Sequence, residues 1–162
     1  MQKTWVSLAP IPLRIMMAIG FLYHGLPKLL DAGERQGFTG MLQGIGVPMP
    51  GIMAWVVAIV EVFGAIALLI GAFVLVAAAL LTIHMLVALF TVHIGAGFSF
   101  MNITGMNETG MTFGMPGYEV NLLYIAALVS LMLSGAGAYS VDGRRTTGVR
   151  TREGTETRSD VA

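Results

Sequence analysis

One acidic residue, Glu61, lies inside the segment from Ile52 to Gly71, which is otherwise apolar or small. A segment of that length can cross the ~30 Å hydrocarbon layer of a bilayer, where a carboxylate must be protonated, paired or hydrated. An ionisable side chain at that depth marks a candidate functional site. The chemistry it could support is the transfer of a proton or the binding of a polar head group.

Arg14 is the predicted partner of Glu61. At 1.5 Å per residue, Arg14 lies about 9 Å into a helix that begins at Leu8, and Glu61 lies about 13 to 15 Å from either end of its own helix. The difference between these two depths is close to the reach of an arginine side chain, so we predict a core Arg14–Glu61 ion pair. It would bind a quinone head group or a proton, or it would only fix the register of the helices. His84 is a third candidate for this core polar site. A lone histidine on an apolar helix, however, more often makes only a hydrogen bond to a neighbouring helix.

A second polar group falls at the ends of the predicted helices, on one side of the membrane: His24, Lys28, His93, Tyr118 and Glu119. Imidazole, ammonium, phenol and carboxylate groups at the same end of the helices predict a polar pocket there, which could bind a quinone carbonyl or a small anion. The alternative is an ordinary belt of interfacial side chains that anchors the helix ends. We predict no metal site, because these residues do not form a local ligand motif.

The elements that would position these residues are apolar segments. The chain is 56% hydrophobic and 11% charged, with a mean hydropathy of +0.79, whereas a soluble domain is about 25% charged. We therefore predict an all-α membrane domain over residues 1–143, an antiparallel bundle of four transmembrane helices. The predicted spans cover residues 8–30, 52–71, 73–94 and 118–138. A short interfacial helix is expected near Phe38 to Leu42, in the loop that follows the first span.

Basic residues set the expected orientation. Five of the nine lysines and arginines lie in the last 19 positions, so the positive-inside rule predicts that both termini are cytoplasmic and that the protein sits in a bacterial inner membrane. Residues 144–162 read as a disordered Arg-rich tail. Nucleic acid is not an expected partner, since no basic face with interleaved aromatics is present. The chain has no cysteine, so dithiol chemistry would have to come from a partner.

A five-residue repeat places Met101, Met106 and Met111 in the third loop, and Met115 follows it. Thioethers are soft ligands that suit Cu(I). Methionine is also an adaptable packing residue. The more ordinary interpretation is therefore that these side chains pack against the helix bundle or against lipid.

The ordered set of motifs resembles the DoxX family of small bacterial inner-membrane proteins. The resemblance lies in Arg14, Gly20 to Gly25 with Lys28, Pro48 and Pro50, Glu61 with Gly64 and Gly71, His93 with Gly97 and Phe98, Gly117 to Glu119, and Gly135 to Asp142. The chain departs from the family where basic residues often stand, since it has Ala72 and Phe73 after span two and Ala138 near the end of span four.

The resemblance implies a four-helix membrane protein related to the membrane subunit of thiosulfate:quinone oxidoreductase. We therefore expect a subunit that supports a quinone-linked redox or oxidative-stress function, with quinone as its cofactor and a redox protein or a second copy as its partner. No catalytic residue is assigned. The alternative is a non-enzymatic scaffold or small-solute carrier whose tail binds a cytoplasmic partner or anionic lipid.

Overall fold

Helices make up most of the protein in a computed structural model that describes residues 7–137 and 139–144. The α-helices are α1 (Pro10–Leu30), α2 (Ala32–Gly44), α3 (Pro50–Ile70), α4 (Val74–Ala88) and α5 (Glu119–Ser134). A π-helical turn (Leu89–His93) and a 3₁₀ turn (Ile94–Ala96) extend α4. Two strands, β1 (Ile103–Asn107) and β2 (Gly110–Phe113), precede α5.

The turns between helices follow from their sequence. Asp31 ends α1 and accepts hydrogen bonds from the Gly33 and Glu34 amides, which caps α2. Pro50 lies at the start of α3, where the missing N–H of proline is not needed. Gly71, with φ of 70°, ends α3 in the left-handed conformation that glycine adopts most easily. Consecutive helices can therefore reverse direction within a few residues.

The start of α4 is held by a residue from the far end of the chain. Phe73 has a positive φ of 51°, which is uncommon for a bulky side chain. The Phe73 and Val74 amides both donate to the Asp142 carboxylate at 3.0 Å. Asp142 therefore satisfies orphan amides at the α4 N-terminus, where the helix dipole also favours a negative charge.

One apolar core joins four of the helices. Its members are Met17, Ala18 and Phe21 from α1, Ala65 and Leu68 from α3, Val74, Ala77, Ala78 and Leu81 from α4, and Leu128 and Leu131 from α5, together with Ala136. Small residues allow close approach. Because a side chain at Gly64 would contact Leu81 at 3.0 Å, glycine lets α3 and α4 pack closely there.

The outward faces of the helices are apolar as well. Large side chains such as Val56, Ile59, Phe63 and Ile66 on α3 are each more than 40% exposed. A soluble protein rarely exposes a continuous apolar surface of this kind. Among the described residues, two helices are long and apolar enough to cross a membrane, Pro50–Ile70 and Val74–Ala96.

The structure departs from the sequence predictions in two places. The third loop contains the antiparallel β1–β2 hairpin, which the all-α prediction did not include, so the fold is not purely α-helical. The short helix expected near Phe38 to Leu42 is part of the longer α2. The predicted tail lies outside the described residues, apart from Arg144 at the end of a helical turn over 141–144.

Candidate functional site

Glu61 is held by two basic side chains from neighbouring helices. Lys28 Nζ, in the last turn of α1, donates to Glu61 Oε2 at 2.6 Å. His84 Nε2, on α4, lies 3.0 Å from Glu61 Oε1. The Glu61 side chain is only 4% exposed, while those of Lys28 and His84 are each 17% exposed. Both carboxylate oxygens therefore have a partner, as a buried carboxylate requires.

This arrangement corrects the predicted Arg14–Glu61 pair, which does not form. Gly25 is the α1 residue at the level of Glu61, because a Cβ on Gly25 would lie 2.8 Å from Glu61 Cβ. Arg14 is eleven residues before Gly25, about 16 Å along the helix axis. Arg14 and Glu61 lie at similar depths in their own helices, but α1 and α3 are staggered, so similar depths do not bring the two residues together.

Arg14 instead ties the opposite end of the molecule together. Its guanidinium donates to the carbonyl oxygens of Leu68 (2.7 Å), Leu69 (2.8 Å), Ala136 (2.8 Å) and Tyr139 (3.0 Å). Two of these carbonyls belong to the last turn of α3, where helical carbonyls lack partners. Arg14 is 4% exposed and, in these contacts, its role is architectural.

A cavity of about 440 Å³ opens beside the Lys28–Glu61–His84 cluster. Most of its lining is apolar or aromatic: Phe21, Phe38, Met41, Leu42, Val57, Met85, Val87, Ala88, Val92, Phe100, Met115, Pro116 and Val120. Its polar groups are His24, Lys28, Glu61, His84, Thr91, His93, Asn121 and Tyr124. An apolar pocket of this size with a few convergent polar groups is the usual form of a small-molecule site.

Aromatic contacts shape the inner wall of this cavity. The Phe21 ring packs edge-to-face against His84, with centroids 6.3 Å apart, and against Tyr124, at 5.4 Å. Gly20 makes room for Tyr124, since a Cβ on Gly20 would clash with the Tyr124 hydroxyl. His84 therefore has a ring on one side and the Glu61 carboxylate at its Nε2, which fixes its position at the cavity wall.

Helix α2 closes another side of the cavity. Phe38, Met41 and Leu42 reach the lining from this helix, and the Lys28 ammonium lies 4.6 Å from the centroid of the Phe38 ring. Arg35 fixes α2 against α3, because its guanidinium stacks 4.0 Å from the centroid of the Trp55 ring. The same arginine donates to the Lys28 carbonyl at 3.1 Å. The position of Lys28 is thus constrained on both its side chain and its backbone.

The residues of the predicted outer pocket separate into two groups. His24, Lys28 and His93 line the cavity. Tyr118 and Glu119 do not: Glu119 accepts a hydrogen bond from the Phe100 amide at 3.0 Å, and Tyr118 packs edge-to-face against Phe98. These two residues hold the loop, and His93 Nδ1 also contacts it, at 2.8 Å from the Pro116 carbonyl oxygen.

The π-helical turn at the end of α4 carries His93. Such turns are uncommon and often occur at functional sites, because the added residue shifts the side chains that follow. No group of three or more His, Cys, Asp or Glu side chains that could hold a metal ion occurs within residues 7–137 and 139–144.

Sequence reasoning did not identify Tyr124 and Phe21 as part of the site. Asn121 is only 4% exposed and also lines the cavity. The sequence signal for Asn121 was a polar residue in the first turn of an apolar helix, beside Tyr118 and Glu119. For Phe21 and Tyr124 the sequence offers none, because aromatic residues are common in any apolar helix.

Comparison with known proteins gives a consistent picture. A family model described as DoxX matches residues 9–94, the part that carries Arg14, Lys28, Glu61 and His84. A protein of Haemophilus influenzae, described as uncharacterized, is 32% identical over 133 residues, which cover 82% of this chain and 87% of that protein. No solved structure matches.

Proposed function

This chain belongs to the DoxX family of membrane proteins, and on that premise we propose that it binds a quinone and supports the quinone-linked redox reaction of a partner protein. The observation that carries the proposal is the cavity beside the Lys28–Glu61–His84 cluster. Its aromatic and aliphatic walls suit a planar ring. Its polar cluster suits the carbonyl groups of that ring.

Lys28 is the residue best placed to bind a quinone carbonyl. An ammonium group has three N–H donors, of which one reaches Glu61, so two remain for a ligand. The remaining N–H groups of Lys28 could donate to a carbonyl oxygen of the ring and polarise it. Tyr124 and Asn121, which also line the cavity, offer a hydroxyl and an amide for the ring's second carbonyl.

The cluster can also supply protons. Reduction of a quinone to a quinol takes up two electrons and two protons. Lys28, Glu61 and His84 form a hydrogen-bonded chain of three titratable groups across the cavity wall, and such a chain can pass protons to a ligand oxygen. The electrons would come from the redox partner, which therefore belongs to the proposal.

A groove outside the cavity offers a place for the isoprenoid tail. It runs between α1 and α2, lined by Ile19, Leu22, Leu26 and Met41 among others. Lys28 and Phe38 border both the groove and the cavity. A molecule with a polar head and an apolar tail could occupy both.

The membrane arrangement that we propose has four spans, formed by α1, α3, α4 with its extension, and α5, and two cytoplasmic termini. The outward apolar faces and the charge bias of the chain ends support it. A membrane-impermeant thiol label at a cysteine introduced at Asp160 tests it. Labelling from the periplasm in intact cells would overturn the orientation.

Quinone binding is tested with purified protein and a short-tailed quinone. We expect Lys28→Met to weaken the affinity by about tenfold, the loss of one charge-assisted hydrogen bond. Arg144→Met is the control, since Arg144 is an exposed cation that does not line the cavity. Equal affinities for the wild type, Lys28→Met and Arg144→Met would exclude this site.

A non-enzymatic role is the second candidate, and one observation favours it. Both oxygens of Glu61 are already satisfied within the protein, as expected of a cluster that only fixes helix register. In that case the protein would act as a scaffold or a small-solute carrier. The absence of saturable quinone binding to a folded protein would favour this second role.

A further inference from the structure

The β1–β2 hairpin has one apolar and one polar face. Ile103 pairs with Phe113 and Met106 with Met111 across the strands, and directly opposed residues lie on the same side of a sheet. These four side chains are 51%, 60%, 77% and 53% exposed, respectively.

Threonines define the other face of the hairpin. The Thr104 hydroxyl donates to the Thr112 carbonyl at 3.2 Å and lies 3.3 Å from the Thr112 hydroxyl. Thr112 lies between Met111 and Phe113 in β2, so the period-two alternation of a strand places it on the opposite side from them. The alternation is complete in β2.

The base of the hairpin is fixed to the ends of two apolar helices. The Gly117, Tyr118 and Glu119 amides donate to the carbonyls of Ser99, Gly97 and Phe98. Gly117 must be glycine here, because a Cβ would overlap the Gly97 carbonyl oxygen. Residues 97–102, which lead from the span-length helix 74–96 into β1, are therefore held against the start of α5.

We propose that the apolar face of this hairpin lies in the headgroup region of the bilayer, next to the cavity. Phe98 and Phe100, 57% and 53% exposed, continue the apolar surface from the helix ends. In the segment 97–117 the sole charged residue is Glu108, in the turn of the hairpin, so this face offers nothing to a charged partner. An uncharged face of this composition at a helix end fits the membrane interface.

The methionine repeat acquires a role in this arrangement. Met106 and Met111 oppose each other across the hairpin, and flexible thioether side chains adapt to a disordered lipid surface. Met115 lines the cavity, so the apolar surface of the hairpin leads from the bilayer to the cavity mouth. This inference does not depend on which molecule the cavity binds.

Spin labels test the proposal cleanly, because the chain has no native cysteine. Full-length Met111→Cys, Thr112→Cys and Phe113→Cys variants are labelled and reconstituted in liposomes. Accessibility is then measured with oxygen, which partitions into lipid, and with a polar nickel complex, which stays in water. We expect the ratio of oxygen to nickel accessibility to be several times higher at positions 111 and 113 than at 112.

Equal ratios at all three positions would overturn the proposal. Labels at 111 and 113 shielded from both reagents would also overturn it, since a protein surface would then cover the face. If the spin labels disturb the hairpin, tryptophan fluorescence of a Phe113→Trp variant is measured instead. Its added fluorescence should be quenched by brominated lipid more strongly than that of Thr112→Trp, and equal quenching would contradict the proposal.

Discussion

Glu61 is the residue on which the candidate site depends. Its carboxylate accepts a hydrogen bond from Lys28 and contacts His84, each from a different helix. Removing one member of a buried ion pair leaves the other without compensation, and this costs more than the pair contributes as a whole. The same cluster therefore stabilises the helix packing and presents charge to the cavity.

Replacing Glu61 by leucine should destabilise the protein by about 3 kcal/mol, because Lys28 would then lack its counter-ion. The double variant Glu61→Leu with Lys28→Met should recover most of that loss. Unfolding in detergent, followed by circular dichroism, measures both. If the double variant is no more stable than Glu61→Leu, the Lys28–Glu61 pair is not the reason for the loss.

A second stability prediction concerns Arg14, at the other end of the molecule. Arg14→Lys should lower the free energy of unfolding by about 3 kcal/mol, since a lysine cannot reach all four carbonyls that the guanidinium serves. Arg35→Lys is the control and should cost at most about 1 kcal/mol, since a lysine still places a cation beside the Trp55 ring. Equal losses of unfolding free energy in the two variants would show that the four hydrogen bonds from Arg14 to carbonyls add no particular stability.

At this scale the sequence singled out the three polar residues that form the cluster, but the pairing it predicted for Glu61 was wrong. Glu61, Lys28 and His84 stand out in any apolar segment. Which of them meet depends on the stagger between α1 and α3, and that stagger is set by contacts such as the one between Gly25 and Glu61. Nothing in the spacing of Arg14, Lys28 and Glu61 along the chain encodes it.

At the scale of elements, the packing of α1 against α3 positions the site. Gly25 allows this close approach, because a Cβ there would lie 2.8 Å from Glu61 Cβ and 3.0 Å from Val62 Cγ2. Lys28, one turn further along α1, is thereby brought within reach of Glu61. The Gly25 contact and the Lys28–Glu61 pair therefore depend on each other.

Gly25→Ala should destabilise the protein by about 1 to 3 kcal/mol through overpacking and should weaken quinone binding, because it separates α1 from α3. Gly40→Ala and Gly44→Ala on α2 are matched controls. Each has open space around the added methyl group, so each should be neutral or slightly stabilising. Thermal unfolding and quinone titration on the same samples give both quantities, and a neutral Gly25→Ala would contradict the close contact.

Some elements could be predicted from the sequence and others could not. Apolar runs placed helices at the four segments predicted as spans, with ends within a few residues of the helices observed. Helix α2 was underestimated, because its four glycines disfavour a helix and the Asp31 cap and the packing on α3 compensate for them. The β-hairpin was missed, since its Gly, Asn and Thr content resembles that of an irregular loop.

At the scale of the whole molecule, the two ends serve different purposes. Arg14 and Asp142 hold the termini of α3 and α4 against the segment after α5. The other end holds the cavity, the α2 cover and the hairpin. A tightly bonded end and an opposite end with a cavity would suit the proposed binding of a small molecule from the bilayer.

The most direct test of this account is photolabelling with an azido-quinone in the reconstituted wild-type protein, followed by mapping of the labelled peptides. We predict labels on the cavity lining around Phe38, Met85 and Tyr124, with loss of labelling when unmodified quinone is added in excess. Labels confined to lipid-facing residues such as Ile59 and Phe63, or labels that excess quinone does not remove, would contradict the assignment of the cavity as a quinone site.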